Sequence, residues 1–277
     1  KQSLSLNTSL IDNTPELAKS IYQSYIDIGC QLITSGNYPF KPTRQKEWRR
    51  YTEMLLSMLY DLKKIHEFTL LGSIPPYYES FTTGPWEPCV SIYYHRLKHI
   101  VERYADVYII ETVVSYKHLL NICQILDKSL PIMISLYPEN DITVENLDYL
   151  IQNFNISAIL INCCGFNMMN LYFENIVSKV LERHHKVKFG FYLNSIDEKK
   201  YVECCAAGDL SQSHDATAPA AAIRAINLEK LSMTNECLRC DIALINDFIK
   251  QYKLSKVQNN LIIGGCCGYG VDEMKLI

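Results

Sequence analysis

The chain has no stretch of about 18 consecutive apolar residues, so no membrane-spanning helix is expected. Its N-terminus lacks a basic segment followed by an apolar one, so no secretory signal is expected either. No Lys/Arg cluster exceeds the short stretch from Arg44 to Arg50, and the formal net charge is only −3. Nucleic acid is therefore not an expected partner. Neither a Gly-rich phosphate loop nor a nucleophile elbow is present. No repeat of solenoid period and no linker interrupts the chain, so residues 1–277 are expected to form a single domain.

What remains is ordinary globular composition, 277 residues with 48% hydrophobic and 21% charged, long enough for a sizeable core. Cysteine is the exception. There are eleven, at 30, 89, 123, 163, 164, 204, 205, 237, 240, 266 and 267. The number is odd and three pairs are adjacent, which makes a poor disulfide framework. A reducing cytoplasm with some metal-bound thiols fits better. Cys30, Cys89 and Cys123 lie in helix-like stretches and are expected to act as small core hydrophobes.

Apolar runs at 31–36, 67–73, 106–111, 131–136, 156–162, 187–193 and 260–265 read as strands. Helical patterns fall near 15–29, 44–65, 89–104, 114–127, 143–153, 168–184 and 236–252. Thr14 and Pro15 mark the start of the first helix. Buried, non-alternating strands alternating with helices predict an α/β fold with a parallel sheet. Because a helix comes first, one strand is expected to precede residue 1, which would make eight. The predicted fold is thus a (β/α)8 TIM barrel, its first strand missing from this chain, with a doubly wound open sheet as the competitor. The barrel is preferred because polar and thiol residues recur at strand C-terminal ends, where a barrel gathers them. Residues 73–88, rich in Pro and aromatics, should form a long loop over that mouth, and residues 206–222 a second loop.

The motif Gly264-Gly265-Cys266-Cys267-Gly268 follows the apolar run 261–263. Vicinal side chains of a regular strand point to opposite faces. Glycines relax the backbone so that both sulfurs can turn to one side. Two thiolates at one point suit a soft metal, most plausibly zinc. A third sulfur is then needed, and Cys163-Cys164, closing another strand-like run, offers one.

These residues resemble the homocysteine S-methyltransferase family. The resemblance is carried by Gly264–Cys267, Asn162-Cys163, Glu111-Thr112, Gly72-Ser73-Ile74 with Pro75-Pro76-Tyr77, Ile33-Thr34 with Asn37-Tyr38, and Asn194-Ser195, in the family's order. It implies a (β/α)8 barrel and a zinc ion held by Cys163, Cys266 and Cys267. It implies transfer of a methyl group to the thiol of homocysteine, forming methionine, from a sulfonium donor such as S-methylmethionine or S-adenosylmethionine. A betaine-using enzyme, or a non-catalytic zinc-binding relative, shares the pattern. The chain departs from it in lacking the Asp-Gly-Gly-like opening strand, in Ile196 after Ser195, and in Tyr269 after Gly268.

Three thiolates suit this chemistry. The attacking species is a thiolate, whereas free thiols are mostly protonated at pH 7. A sulfur-rich zinc site removes the proton but leaves electron density on sulfur, unlike the histidine sites that activate water. Glu111 is the expected acceptor for the substrate ammonium, with Tyr38 and Ser73 flanking the amino acid and Asn162 and Asn194 orienting the metal loop or ligand. Tyr77, Tyr78, Phe81 and Trp86 are candidate faces for a cationic donor, with packing of the loop an equal alternative. Cys164 is the rival for Cys163, and could make a structural four-sulfur site. Cys237-Leu238-Arg239-Cys240, Cys204-Cys205, His184-His185 and His214 are expected to be incidental.

Overall fold

The computed structural model describes residues 12, 14–126, 128–194, 235–254, 261–266 and 271–276. Seven strands follow one another as a parallel sheet in chain order, with helices between them: a (β/α) succession of the TIM-barrel type. The chain divides into two compact units, one ending at Ala158 and one starting at Ile159.

The first unit contains α1 (Pro15–Asp27), β1 (Leu32–Thr34), α2 (Trp48–Lys63), β2 (Thr69–Ile74), α3 (Pro88–Val101), β3 (Val107–Val113), α4 (Tyr116–Leu126), β4 (Ile132–Leu136), α5 (Val144–Asn153) and the start of β5 (Ile156–Asn162). Strands β1 to β4 pair in parallel, with Ile33 opposite Leu70, Ser73 opposite Ile109 and Ile109 opposite Met133. All five residues of β4 are buried, as expected for a strand covered on both faces. Helix α2 buries Trp48, Tyr51, Thr52, Leu55, Leu56, Leu59 and Leu62, a stripe at three- and four-residue spacing. Helix α5 starts at a capping box, where Thr143 Oγ1 accepts from Asn146 N and Asn146 Oδ1 accepts from Thr143 N.

The second unit contains the rest of β5, α6 (Phe166–Tyr172), a π-helical turn (Phe173–Val177), α7 (Ser178–Arg183), β6 (Lys188–Leu193), α8 (Asn235–Leu254), β7 (Leu261–Gly265) and the short α9 (Val271–Met274). Strands β6 and β7 pair from Phe189–Leu261 to Leu193–Gly265. Phe173 enters an aromatic cluster with Phe189, Phe248 and Tyr252.

All seven predicted strands are present. The first is only three residues long; Ser35 N still donates to Leu71 O at 2.9 Å, and the polar segment described below follows. The helix expected over 168–184 begins at Phe166 and is broken by the π turn. Cys123 is fully buried, as a small core hydrophobe should be. Cys89 is not: it is exposed near the start of α3, its thiol facing Glu87, and Cys30 is half-buried. The first turn of a helix resting on its Pro-rich loop leaves position 89 at the solvent side. Six described cysteines (30, 89, 123, 163, 164 and 266) are all unbridged. No helix among the described residues is long and apolar enough to cross a membrane.

Candidate metal centre

Strand β5 ends at Asn162, and the next residue, Cys163, takes a left-handed backbone with φ of 56°. Such a conformation is uncommon for a residue with a Cβ and persists only where neighbours hold it. The end of β6 supplies the hold. Cys163 N donates to Tyr192 O at 3.2 Å, Asn194 N donates to Cys164 O at 3.1 Å, and Asn194 Nδ2 donates to Cys163 O at 3.1 Å. From β7, Cys266 N donates to Leu193 O at 2.9 Å. Both cysteines therefore hang on the same end of β6. Their sulfurs lie 3.1 Å apart, and Asn162 Nδ2 donates to Cys163 Sγ at 3.1 Å. Cys163 and Cys266 are half-buried, whereas Cys164 is fully buried. Of the two adjacent thiols, it is Cys163 whose sulfur meets Cys266.

The donor set suits a soft divalent metal. Two thiolates on one tetrahedral zinc sit about 3.8 Å apart, given Zn–S bonds of about 2.3 Å. The observed pair needs to open by less than an ångström to match. Cys267 lies outside the described residues, and among the described residues no group of three metal-ligating side chains is present. Ser195, Ile196, Tyr269, Cys204, Cys205 and His214, and the side chains of Cys237 and Cys240, also lie outside them.

The polar cluster of the first unit is built on the ends of β1, β2 and β3. The register slips between Ile110 and Val113, and Thr112 takes φ of 55°. For a β-branched residue that is a genuine strain. A bulge of this kind re-aims the neighbouring side chain, here Glu111, which accepts a short hydrogen bond from Ser73 Oγ. Ser73 belongs to a closed ring: its N donates to Ser35 Oγ at 2.9 Å, Ser35 Oγ donates to Asn37 Oδ1 at 2.6 Å, and Asn37 Nδ2 donates to Ser73 O at 3.1 Å. Tyr38 Oη is 2.6 Å from Ser80 Oγ and donates to Thr112 Oγ1 at 3.4 Å. Tyr38, Ser73 and Glu111 thus share one network. Asn162 and Asn194 stand instead around Cys163.

The sequence reading assigned no role to Ser35 or Lys41, both fully buried in this region. The rings of the aromatic loop pack on neighbouring elements. Trp86 stacks on Tyr94 at 5.6 Å between centroids, Tyr77 meets Tyr93 at 5.4 Å, and Phe81 meets Tyr137 at 4.5 Å. His118 Nε2 lies 2.8 Å from Gly84 O. These rings fasten the loop to α3, α4 and the end of β4.

Comparison with known proteins agrees with the sequence resemblance. The family model described as homocysteine S-methyltransferase matches residues 1–277. The crystal structure of the homocysteine methyltransferase MmuM from Escherichia coli is similar in fold. Its metallated form is 14% identical with a TM-score of 0.60, covering 98% of this chain and 86% of that one. Its oxidised form is 12% identical with a TM-score of 0.62 and the same coverage. At such identity the likeness speaks for the fold alone. None of the curated proteins matches this chain.

Proposed function

Because this chain belongs to the homocysteine S-methyltransferase family, we propose that it transfers a methyl group to the thiol of homocysteine, forming methionine, with zinc held by Cys163, Cys266 and Cys267. The donor is a sulfonium, S-methylmethionine or S-adenosylmethionine. The observation that carries the reading is the approach of Cys163 and Cys266 to 3.1 Å, with the Asn162 amide on Cys163 Sγ. When bound, tris-thiolate zinc lowers the proton affinity of an incoming thiol while leaving its sulfur electron-rich.

The chain's own residues do the rest. Asn162 donates to Cys163 Sγ and orients it, and Asn194 holds the strained Cys163 backbone by its carbonyl. Glu111 accepts the substrate ammonium, its carboxylate oriented by Ser73. Tyr38, tied to Ser80 and Thr112, bounds the amino-acid head. With the substrate fixed at its ammonium, its sulfur attacks the donor methyl in line. One carbon–sulfur bond forms, the donor's carbon–sulfonium bond breaks, and the donor leaves as a neutral sulfide. The thiol proton passes to solvent. We further read residues 1–277 as one homocysteine-binding domain working in the cytoplasm, where free thiols persist.

The test combines metal analysis with turnover. The purified protein should carry one zinc per chain and form methionine from homocysteine and S-methylmethionine or S-adenosylmethionine. Zinc at one per chain with no methyl transfer from either donor, nor from betaine, would overturn the assignment.

A further inference from the structure

Lys41 is fully buried in the first unit, in the segment that follows β1. Buried ammonium groups ordinarily sit against a carboxylate. This one does not: its Nζ donates to the Tyr78 carbonyl at 2.8 Å and lies 5.1 Å from the centroid of the Tyr38 ring. Tyr38 in turn reaches Thr112, the residue after Glu111. The charged groups around it come from several elements. Arg44, on the same segment, is ion-paired with Glu79 of the aromatic loop. Glu111 on β3 acts on Lys41 through space. The Tyr38 ring and the Tyr78 carbonyl face it, Tyr93 of α3 lies near Tyr38, and Tyr22 of α1 lies near Glu111.

We propose that Lys41 is a positioning charge whose protonation sets how strongly Glu111 holds the α-ammonium of the amino-acid substrate. The proposal rests on the homocysteine-binding role given above. Two cations facing one carboxylate compete. A protonated Lys41 cancels part of the Glu111 potential and repels the incoming ammonium. A neutral Lys41 removes that competition. Burial, with Arg44 adding to it, draws the Lys41 amine down to about 7, while Glu111 pushes back. The exchange therefore falls in the neutral range. The coupling is reciprocal: a bound ammonium must lower the proton affinity of Lys41 by the same factor.

Methionine is the probe, because it has the same α-amino-acid head and no ionisable thiol. Its dissociation constant is measured by calorimetry from pH 6 to 8.5 on the wild type, Lys41→Met, Lys41→Gln and Glu111→Gln. The wild type should tighten roughly threefold to tenfold on passing neutrality. The two Lys41 variants should be flat, near the wild-type affinity at high pH. A flat wild-type profile, or the same slope in folded Lys41→Met, overturns the proposal and leaves the homocysteine site standing. Binding that ignores Glu111→Gln at every pH overturns both. Should neither Lys41 variant fold, NMR titration of labelled lysines in the wild type decides. A buried lysine inflecting near neutrality, and moving lower with methionine, is the expected result. No such resonance refutes it.

Discussion

Cys163 combines two costs. Its backbone sits in the left-handed region, and its sulfur lies against another sulfur at 3.1 Å. Either would be relieved if the residue simply packed into the core, as Cys164 does. Strain of this kind collects where a side chain must be aimed. Removing one sulfur should therefore remove metal rather than fold. Cys266→Ser is expected to lose its zinc and its methyl transfer while keeping the far-ultraviolet dichroism of the wild type; retained zinc and turnover would show that the ligand set is wrong. Asn162→Ala leaves the sulfurs but deletes the donor to Cys163, and zinc affinity measured by chelator competition should drop about 10- to 100-fold. Glu111→Gln addresses the other half of the chemistry. Losing one charge-assisted contact to an ammonium costs about 1.5–3 kcal/mol, so KM for homocysteine should rise by a factor of about ten or more with zinc content unchanged. Equal loss of both would assign Glu111 a structural task.

At the scale of elements, β6 is the part on which the sulfur site depends. Its end accepts from Cys163 N through Tyr192 O and from Cys266 N through Leu193 O. Gly190 lets β6 lie close to its neighbours: a Cβ there would meet Ile262 O at 2.5 Å and Leu160 Cδ2 at 2.6 Å. Gly190→Ala is expected to cost about 1–3 kcal/mol by overpacking and to weaken zinc retention with it. Gly165→Ala is the control, since nothing lies within 4 Å of its Cβ. Unfolding midpoints and zinc content of the two variants make the comparison; equal behaviour would deny β6 this part. The strands and their order were legible because each is a continuous apolar run with a polar or thiol residue at its end. The Cys163–Cys266 encounter was foreshadowed by that same placement. What stayed hidden were features set by backbone geometry. The bulge at Thr112 and the left-handed turn at Cys163 leave no compositional mark, since neither residue is glycine. The aromatic loop stayed open for another reason: tyrosine and tryptophan serve equally as a cation face and as packing, and the structure adds that Tyr77, Trp86 and Phe81 meet Tyr93, Tyr94 and Tyr137.

Across the whole molecule, the buried Lys41 ties stability to pH. In the unfolded chain its amine titrates near the ordinary value of about 10.4; in the folded chain burial draws it down to about 7. Between those values the unfolded state binds a proton that the native state does not, so stability rises with pH across the window and the gain is lost on falling through 7. The slope cannot exceed about 1.4 kcal/mol per pH unit for one group. Opposing groups act only at higher pH. Burial pushes the Cys123 thiol up to about 12 and the Tyr252 phenol up to about 12. Burial also lifts the Tyr22 phenol to about 12, in spite of its hydrogen bond with Gly36. For these the unfolded state releases its proton first, so above roughly 9 they work against the Lys41 gain. Urea midpoints taken at pH 6.5, 7.5 and 8.5 should climb for the wild type and stay level for Lys41→Met, which begins higher because no charge is buried. A climb of equal size in both proteins would move the proton to another group and leave Lys41 without its part in the neutral range.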